Sequence, residues 1–417
     1  MAAPNKRKIM NDPVYGFIDI PSGLIYEIIE NSYFQRLRRI KQLGLTYLVY
    51  PGAYHTRFQH AIGAMHLMST VINIIRSKGH VITEKEENAA MLAILLHDIG
   101  HGPFSHALEF TIVKNVTHED LSLLFMDKLN KKYKGKLDLA IKIFKNEYHK
   151  KFLHQLVSGQ LDVDRLDYLR RDSFFSGVSE GVIGSDRIIK MLDIVNDELV
   201  VESKGIYSIE KFLIARRLMY WQVYLHKTVL SAEQLLVKTL LRAKELSEKG
   251  EMLFATPALQ YFLSNDVCAD DFKNDKKVLG DHTLLDLYAN LDDYDIMSAI
   301  KVWVNHPDKV LSTLSSNMIN RNLFKIVIQN EPINKEVLSA KKKEFKEKMS
   351  LTDKEIKYFV FTDNITNYAY SANDEKINIL MKNNELKDIA EASDMLNISV
   401  LSKKVRKYFM CYPKKLD

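Results

Sequence analysis

The sequence predicts a mainly α-helical protein with a smaller α+β lobe towards its carboxy-terminal end, and three observations carry that expectation. Between about residues 24 and 318, apolar residues recur three and four positions apart, the spacing of helices that each have one face to bury. Extended candidates within that region are short and few. From about residue 322 the texture changes to β-branched and aromatic runs around one charged helical stretch. The expected division is a helical core over residues 1–320 and an α+β lobe over residues 321–417.

In chain order, "VYGFIDIP" reads as a strand and "LIYEIIENSYFQRLRRIKQL" as a core helix with an apolar stripe. His55, His60 and His66 crowd into "HTRFQHAIGAMHLM", where His60 opens an apolar helical stretch on its inner side. The apolar run entering "LLHDIGHGPFSH" is a helix that ends at its glycines and proline. In "QLDVDRLDYLRRD", Asp164 and Asp167 are three apart and so near one face of a helix. "ELVVESKGIYSI" reads as a hairpin turning at Lys204-Gly205, and "IEKFLIARRLMYWQVYLHKTVLSAEQLLVKTLLRAKEL" as core helix. In the lobe, "LFKIVIQ", "YFVFTD" and "INILM" are strand candidates, with "NKEVLSAKKKEFKEKM" as the helix between them. The lysine-rich runs read as solvated helix faces.

Composition narrows the classes. Hydrophobic residues at 46% and charged residues at 27% are those of a globular protein. The 59 basic against 53 acidic side chains leave a net charge of +6, enough to favour a small anion but no nucleic-acid signature, so direct nucleic-acid binding is not expected. Cys268 and Cys411 suggest neither a disulfide framework nor a cysteine metal site, in keeping with a reducing compartment. No stretch approaches the roughly 18 apolar residues that span a bilayer, and the amino terminus lacks the apolar core of a signal peptide. A cytoplasmic protein without a membrane partner is expected.

The chemistry gathers in "LLHDIGHGPFSH", where His97, Asp98, His101 and His106 are costly to bury together unless something charged sits among them. A metal, a phosphate or both would meet that need. Imidazole and carboxylate donors suit iron, manganese, zinc or nickel, and His60, Asp162, Asp164, Asp167 and Asp172 are further donors. "HDIGH" also has the histidine spacing of the zinc-peptidase helix, but that motif needs an unbroken helix and a glutamate. Gly100 and Gly102-Pro103 interrupt it and Asp98 is a methylene too short, so the peptidase reading is set aside.

The ordered set His60, His97-Asp98, Asp164 resembles the HD-domain metal-dependent phosphohydrolases, whose pattern is H…HD…D. "DPVYGFIDI", "FQRLRRIKQLG", "YPGAYHTRFQHAIG", "DVDRLDYLRRD" and "YLHK" are similar to words of the deoxynucleoside triphosphate triphosphohydrolases, the animal sterile-alpha-motif and HD-domain enzymes and their bacterial relatives. The resemblance covers most of residues 12–230, and the chain is expected to lack the sterile-alpha-motif domain.

The resemblance implies specific roles. His60, His97, Asp98 and Asp164 would be ligands of one divalent transition metal, with magnesium possible on the triphosphate. His101 and His106 would face the phosphates, and His118 with Glu109 would handle protons; Glu109 stands where the animal enzyme has aspartate. Arg57, Arg165, Arg216 and Lys227 would meet the triphosphate, as guanidinium forks do. Gln42 and Asp172 would reach the 3′-hydroxyl, with Tyr168 in the sugar pocket and Leu43 and Tyr224 filling the space a 2′-hydroxyl needs. Leu225 and Ser173-Phe174-Phe175 depart from the animal pattern, which leaves base preference open. Glu30 and Arg38 would bind a guanine nucleotide activator at a subunit contact of a dimer or tetramer.

The expected function is hydrolysis of dNTPs to deoxynucleoside and inorganic triphosphate by water attack at the α-phosphorus. Two alternatives remain: an HD-domain hydrolase of another nucleotide or phosphate ester, and a nucleic-acid- or nucleotide-binding protein with a residual site.

Overall fold

In the computed structural model, which describes residues 8–104, 111, 113, 116–274, 276–367, 370, 376–394 and 405–414, the fold is mainly helical with small sheets. It opens on an antiparallel hairpin of β1 (Lys8–Asp12) and β2 (Gly16–Ile20). The next stretch, expected as one helix, is two: α1 (Leu24–Ile29) and α2 (Ser32–Gln35), followed by a 3-10 turn over Arg36–Arg39. Asn31 makes the break, because its side chain accepts from the Tyr33 N–H at 3.1 Å and caps a new helix.

Among the described residues, seven helices follow: α3 (Arg57–Ser77), α4 (Glu84–Leu96), α5 (His118–Lys132), α6 (Asp138–Phe144), α7 (Lys151–Ser158), α8 (Val163–Ser176) and α9 (Ser185–Met191). Helix α3 is buried on nearly every side, as expected of a helix apolar all round, and packs against α4 and α8. The Thr56 N–H donates to Gln59 Oε1 at 2.8 Å, which sets the start of α3 and so the inward direction of His60.

Strands β3 (Leu192–Val195) and β4 (Glu198–Glu202) pair through a turn at Asn196 and Asp197, both at positive φ. That corrects the expected turn at Lys204-Gly205, which instead lies in a 3-10 turn leading into α10 (Ile206–Met219). Asparagine and aspartate tolerate the left-handed region a two-residue hairpin needs, whereas Gly205 serves close packing: a Cβ there would stand 2.6 Å from Val201 Cγ1.

Helix α10 passes through a π-helical turn, Tyr220–Tyr224, and the chain resumes as α11 (Lys227–Glu248) and α12 (Pro257–Ser264). A small hairpin of β5 (Lys277–Leu279) and β6 (His282–Thr283) precedes α13 (Leu284–Ala289), α14 (Asp293–Trp303) and α15 (Lys309–Ile319). The remaining elements are β7 (Lys325–Gln329), α16 (Lys335–Met349), β8 (Phe361–Asn367), β9 (Asn378–Leu380), β10 (Leu386–Asp388), α17 (Ile389–Ala392) and β11 (Val405–Tyr412). Strand β11 lies between β7 and β8, while β9 runs parallel to β4 and so joins the sheet of the helical region. No helix among the described residues is long and apolar enough to cross a membrane.

Candidate active site

Three elements bring four side chains together: α3 supplies His60, the end of α4 supplies His97 and Asp98, and the first turn of α8 supplies Asp164. His60 Nε2 lies 3.0 Å from Asp164 Oδ1 and 3.7 Å from Asp98 Oδ2. His97 Nε2 lies 3.3 Å from Asp98 Oδ1 and 3.5 Å from Asp164 Oδ1. Donors held at roughly 2.1 Å from one metal stand about this far apart. The tautomers agree with such a role. His60 Nδ1 is 2.7 Å from Asp167 Oδ2 and His97 Nδ1 is 2.6 Å from the Ile94 carbonyl, so each Nδ1 donates and each Nε2 keeps its lone pair. Both Nε2 atoms are buried without a hydrogen bond, a rare condition for a polar atom, and a divalent metal would relieve it.

Outer contacts orient these ligands. Arg171 grips Asp167 with Nε at 2.9 Å and Nη2 at 3.0 Å, and reaches Asp12 Oδ2 with Nη1 at 2.7 Å. Gly63, one turn beyond His60, makes room for this pair, since a Cβ there would stand 2.1 Å from Arg171 Nη2. On the other side, Ser122 of α5 donates to the His97 carbonyl at 2.7 Å and accepts from the Gly100 N–H at 2.9 Å. A Cβ at Gly100 would stand 2.1 Å from the His118 carbonyl, so only glycine lets the turn after Asp98 approach α5 this closely.

Burial pushes an imidazole pKa down, yet the carboxylates of Asp164 and Asp167 facing its two nitrogens lift His60 to about 10. Burial pushes carboxyls up, yet His60 and His97 hold Asp164 well below the carboxylate range. Asp167 is likewise brought down to about 2 by Arg171 and His60. The cluster thus holds negative charge that either protons or a metal ion can compensate.

A cavity of about 400 Å³ adjoins the cluster, and Asp98 and Asp164 form part of its lining. His101 and His118 stand in it with ring centroids 3.9 Å apart, and His101, His118 and Asp98 present ligand atoms within 4.8 Å of one another. Arg57, ion-paired with Asp98, lines it together with Arg165 and Arg216. Arg165 is ion-paired with Asp162, and Arg216 Nη1 donates to Gln160 Oε1 at 3.3 Å. Gln42, Leu43, Tyr168, Asp172 and Tyr224 are in the same lining. The two oxygens of Asp172 are engaged by His55 Nε2 and by the Tyr224 hydroxyl, each at 2.7 Å.

The structure does not bring Lys227 into this cavity; it lines an adjoining cleft with Trp221 and Lys407. Glu30 and Arg38 are exposed away from the lining, Arg38 lying over the Phe58 ring at 3.5 Å and donating to Gln35 Oε1 at 2.9 Å. His106 and Glu109 lie outside the described residues. Asp167, a candidate donor by its residue type, instead stands behind His60 on its Nδ1, and several residues of the site carried no functional expectation: Arg171 behind Asp167, His55 behind Asp172, and Tyr220 and Glu233 in the cavity lining. The D-x-x-D spacing hinted at Asp167; nothing local in the sequence marks Glu233.

Residues 57–172 match the HD domain family, and residues 183–254 match the HD associated region. The uncharacterized protein YwfO of Bacillus subtilis is 32% identical over 437 residues, spanning 100% of this chain and 95% of that protein. The deoxynucleoside triphosphate triphosphohydrolase SAMHD1 homolog of Dictyostelium discoideum is 31% identical over 265 residues, 59% of this chain and 51% of that one. A phosphohydrolase crystal structure from Bacteroides thetaiotaomicron superimposes with a TM-score of 0.93 at 58% identity, covering 98% of this chain and 100% of that chain.

Proposed function

The chain belongs to the HD-domain family, and on that premise we propose that it is a metal-dependent phosphohydrolase cleaving dNTPs to deoxynucleoside and inorganic triphosphate. One observation carries the reading: a single cavity joins the metal-ligand carboxylates, three arginines and a sugar-sized polar and aromatic set. The similarity to a deoxynucleoside triphosphate triphosphohydrolase over about half of each chain supports it.

His60, His97, Asp98 and Asp164 would hold the metal. A divalent ion there supplies Lewis acidity and activates water at neutral pH. Arg57, Arg165 and Arg216 bind and orient the triphosphate through charge-assisted hydrogen bonds. Water oxygen bonds to the α-phosphorus as the bond to the 5′-oxygen breaks, and His118 handles the proton that the departing 5′-oxygen needs. His101 stacks close to His118 and steadies phosphate charge. The Tyr224 hydroxyl is committed to Asp172, so a 2′-hydroxyl beside it finds no partner; this favours deoxyribose.

Incubating the metal-loaded protein with all eight NTPs and dNTPs, singly and mixed, is expected to release tripolyphosphate from dNTPs only. Phosphate or pyrophosphate release instead points to another phosphoester substrate, and absence of any product points to a binding protein.

Arg216→Ala is expected to lose about 1.5–3 kcal/mol of triphosphate binding or transition-state stabilisation, roughly 10- to 150-fold in kcat/KM. Its melting temperature should change much less than its kinetics, because a phosphate contact costs the substrate rather than the core. Unchanged kinetics would remove Arg216 from the substrate site.

We further propose guanine-nucleotide activation through Glu30 and Arg38 at a subunit contact, a reading their exposure supports. Adding dGTP should then raise hydrolysis of a second dNTP and the tetramer fraction together, since activator and assembly are reciprocally linked. Arg38→Ala should lose both responses and keep basal cleavage. Rate and mass that ignore every guanine nucleotide would overturn this regulation.

A further inference from the structure

Glu233 lines the cavity from the second turn of α11, and among the described residues it alone of the lining carboxylates takes part in no ion pair or hydrogen bond. Asp98 is paired with Arg57, Asp164 with the two metal-site histidines, and Asp172 with His55 and Tyr224. Burial alone pushes the Glu233 carboxyl up to about 7, with no cation near enough to bring it down. No ion pair or hydrogen bond joins it to Arg57, Arg165 or Arg216, the cations of the same lining. The cavity lining also includes Leu225, whose side chain cannot hydrogen-bond, and Tyr220 and Tyr224, whose rings meet edge to face at 5.1 Å and 89°. Flat aromatic surfaces suit a stacked base, and the Tyr224 hydroxyl is already used by Asp172. The polar reading of that base falls to Glu233.

We propose that Glu233 reads the nucleobase of the bound dNTP by accepting two adjacent N–H groups, which makes guanine the preferred base; this rests on the dNTP reading above. An ionised carboxylate only accepts hydrogen bonds, with two oxygens side by side. The pairing edge of guanine offers N1–H and the N2 amino group side by side. Adenine and cytosine place one amino group beside an acceptor nitrogen, and thymine flanks its single N–H with two carbonyls, so each sets a lone pair against a carboxylate oxygen. In a desolvated wall such a mismatch is strongly rejected.

The test measures kcat/KM for the four dNTPs separately at pH 8, for the parent and for Glu233→Gln, together with calorimetric binding of the four deoxynucleosides. The parent should favour dGTP and bind deoxyguanosine best, each by at least about tenfold. Glu233→Gln, offering one donor and one acceptor, should lose about tenfold on dGTP and gain on dATP and dCTP, with deoxynucleoside binding following the same order. Nucleoside binding keeps the comparison clear of any activator site that recognises triphosphate. A parent without guanine preference, or one ranking shared by parent and variant, overturns the proposal. Guanine-selective binding that the variant loses, in a protein that hydrolyses no dNTP, sustains Glu233 as the base reader and overturns the hydrolase reading instead. Neither hydrolysis nor binding overturns both.

Discussion

His97→Ala is expected to strip the protein of its metal and of hydrolysis while leaving it folded. The Nε2 of His97 stands 3.3 Å and 3.5 Å from the two carboxylates of the cluster, whereas its Nδ1 serves only the Ile94 carbonyl at the end of α4. Its deletion therefore costs the fold one local contact and the cluster one of four donors. Metal affinity should fall by more than the roughly 10- to 100-fold typical of losing an outer-shell partner. Elemental analysis, thermal melting and tripolyphosphate release check the three parts. Full metal loading with substantial turnover would remove His97 from the site. A pH series on the parent adds a second check. Asp164 and Asp167 keep His60 protonated up to about 10 in the metal-free protein, so a metal must displace that proton. Apparent affinity should rise about tenfold per pH unit between roughly 6 and 9 for each proton displaced, with proton release visible in an unbuffered titration.

The four proposed ligands were legible in the sequence because each sits in a short word whose local structure is decided locally. His97 and Asp98 fall where glycines and a proline end an apolar helix, and Asp164 follows Asp162, which accepts the Arg165 N–H at 2.7 Å as a helix cap. The mainly helical class was equally legible, since α3 and α11 are long and periodic. What escaped depends on partners far away in the chain. Asp167 was visible as a donor, but its place behind His60 and the part of Arg171 follow from α8 packing on α3, and Arg171 also needs Asp12, 159 residues earlier. Glu233 gains its place only from the way α11, after the π-helical turn at Tyr220–Tyr224, meets the cavity formed by earlier helices. Local errors had local causes: the asparagine cap at Asn31 outweighed helical periodicity, and Asn196-Asp197 outweighed Lys204-Gly205 as a turn.

Gly63→Ala is expected to damage stability and metal binding together, although Gly63 touches no substrate. The added Cβ would fall 2.1 Å from Arg171 Nη2 and 2.2 Å from Asp167 Oδ1, at the seam of their ion pair. Neither side chain has room to yield, since both are fully buried and Arg171 is also tied to Asp12. Splitting a buried pair leaves uncompensated charge, at a cost of about 3–5 kcal/mol. His60 then loses its Nδ1 acceptor and its fixed ring orientation, for which a 10- to 100-fold loss of metal affinity is the usual scale. The pH dependence should change in one direction. Asp167, held near 2 against an unfolded value of about 3.9, contributes stability that is complete above about pH 4 and lost as pH falls through 2, and the variant should lose this acid-side slope. Denaturant unfolding of the metal-free protein between pH 2 and 7, beside a metal titration, reads both effects. Asp167→Asn keeps the shape and a carbonyl acceptor for His60, so it should bind metal better than Gly63→Ala does. Parent-like stability and metal affinity in Gly63→Ala would show that Arg171 and Asp167 move aside freely and that their pairing does not position His60.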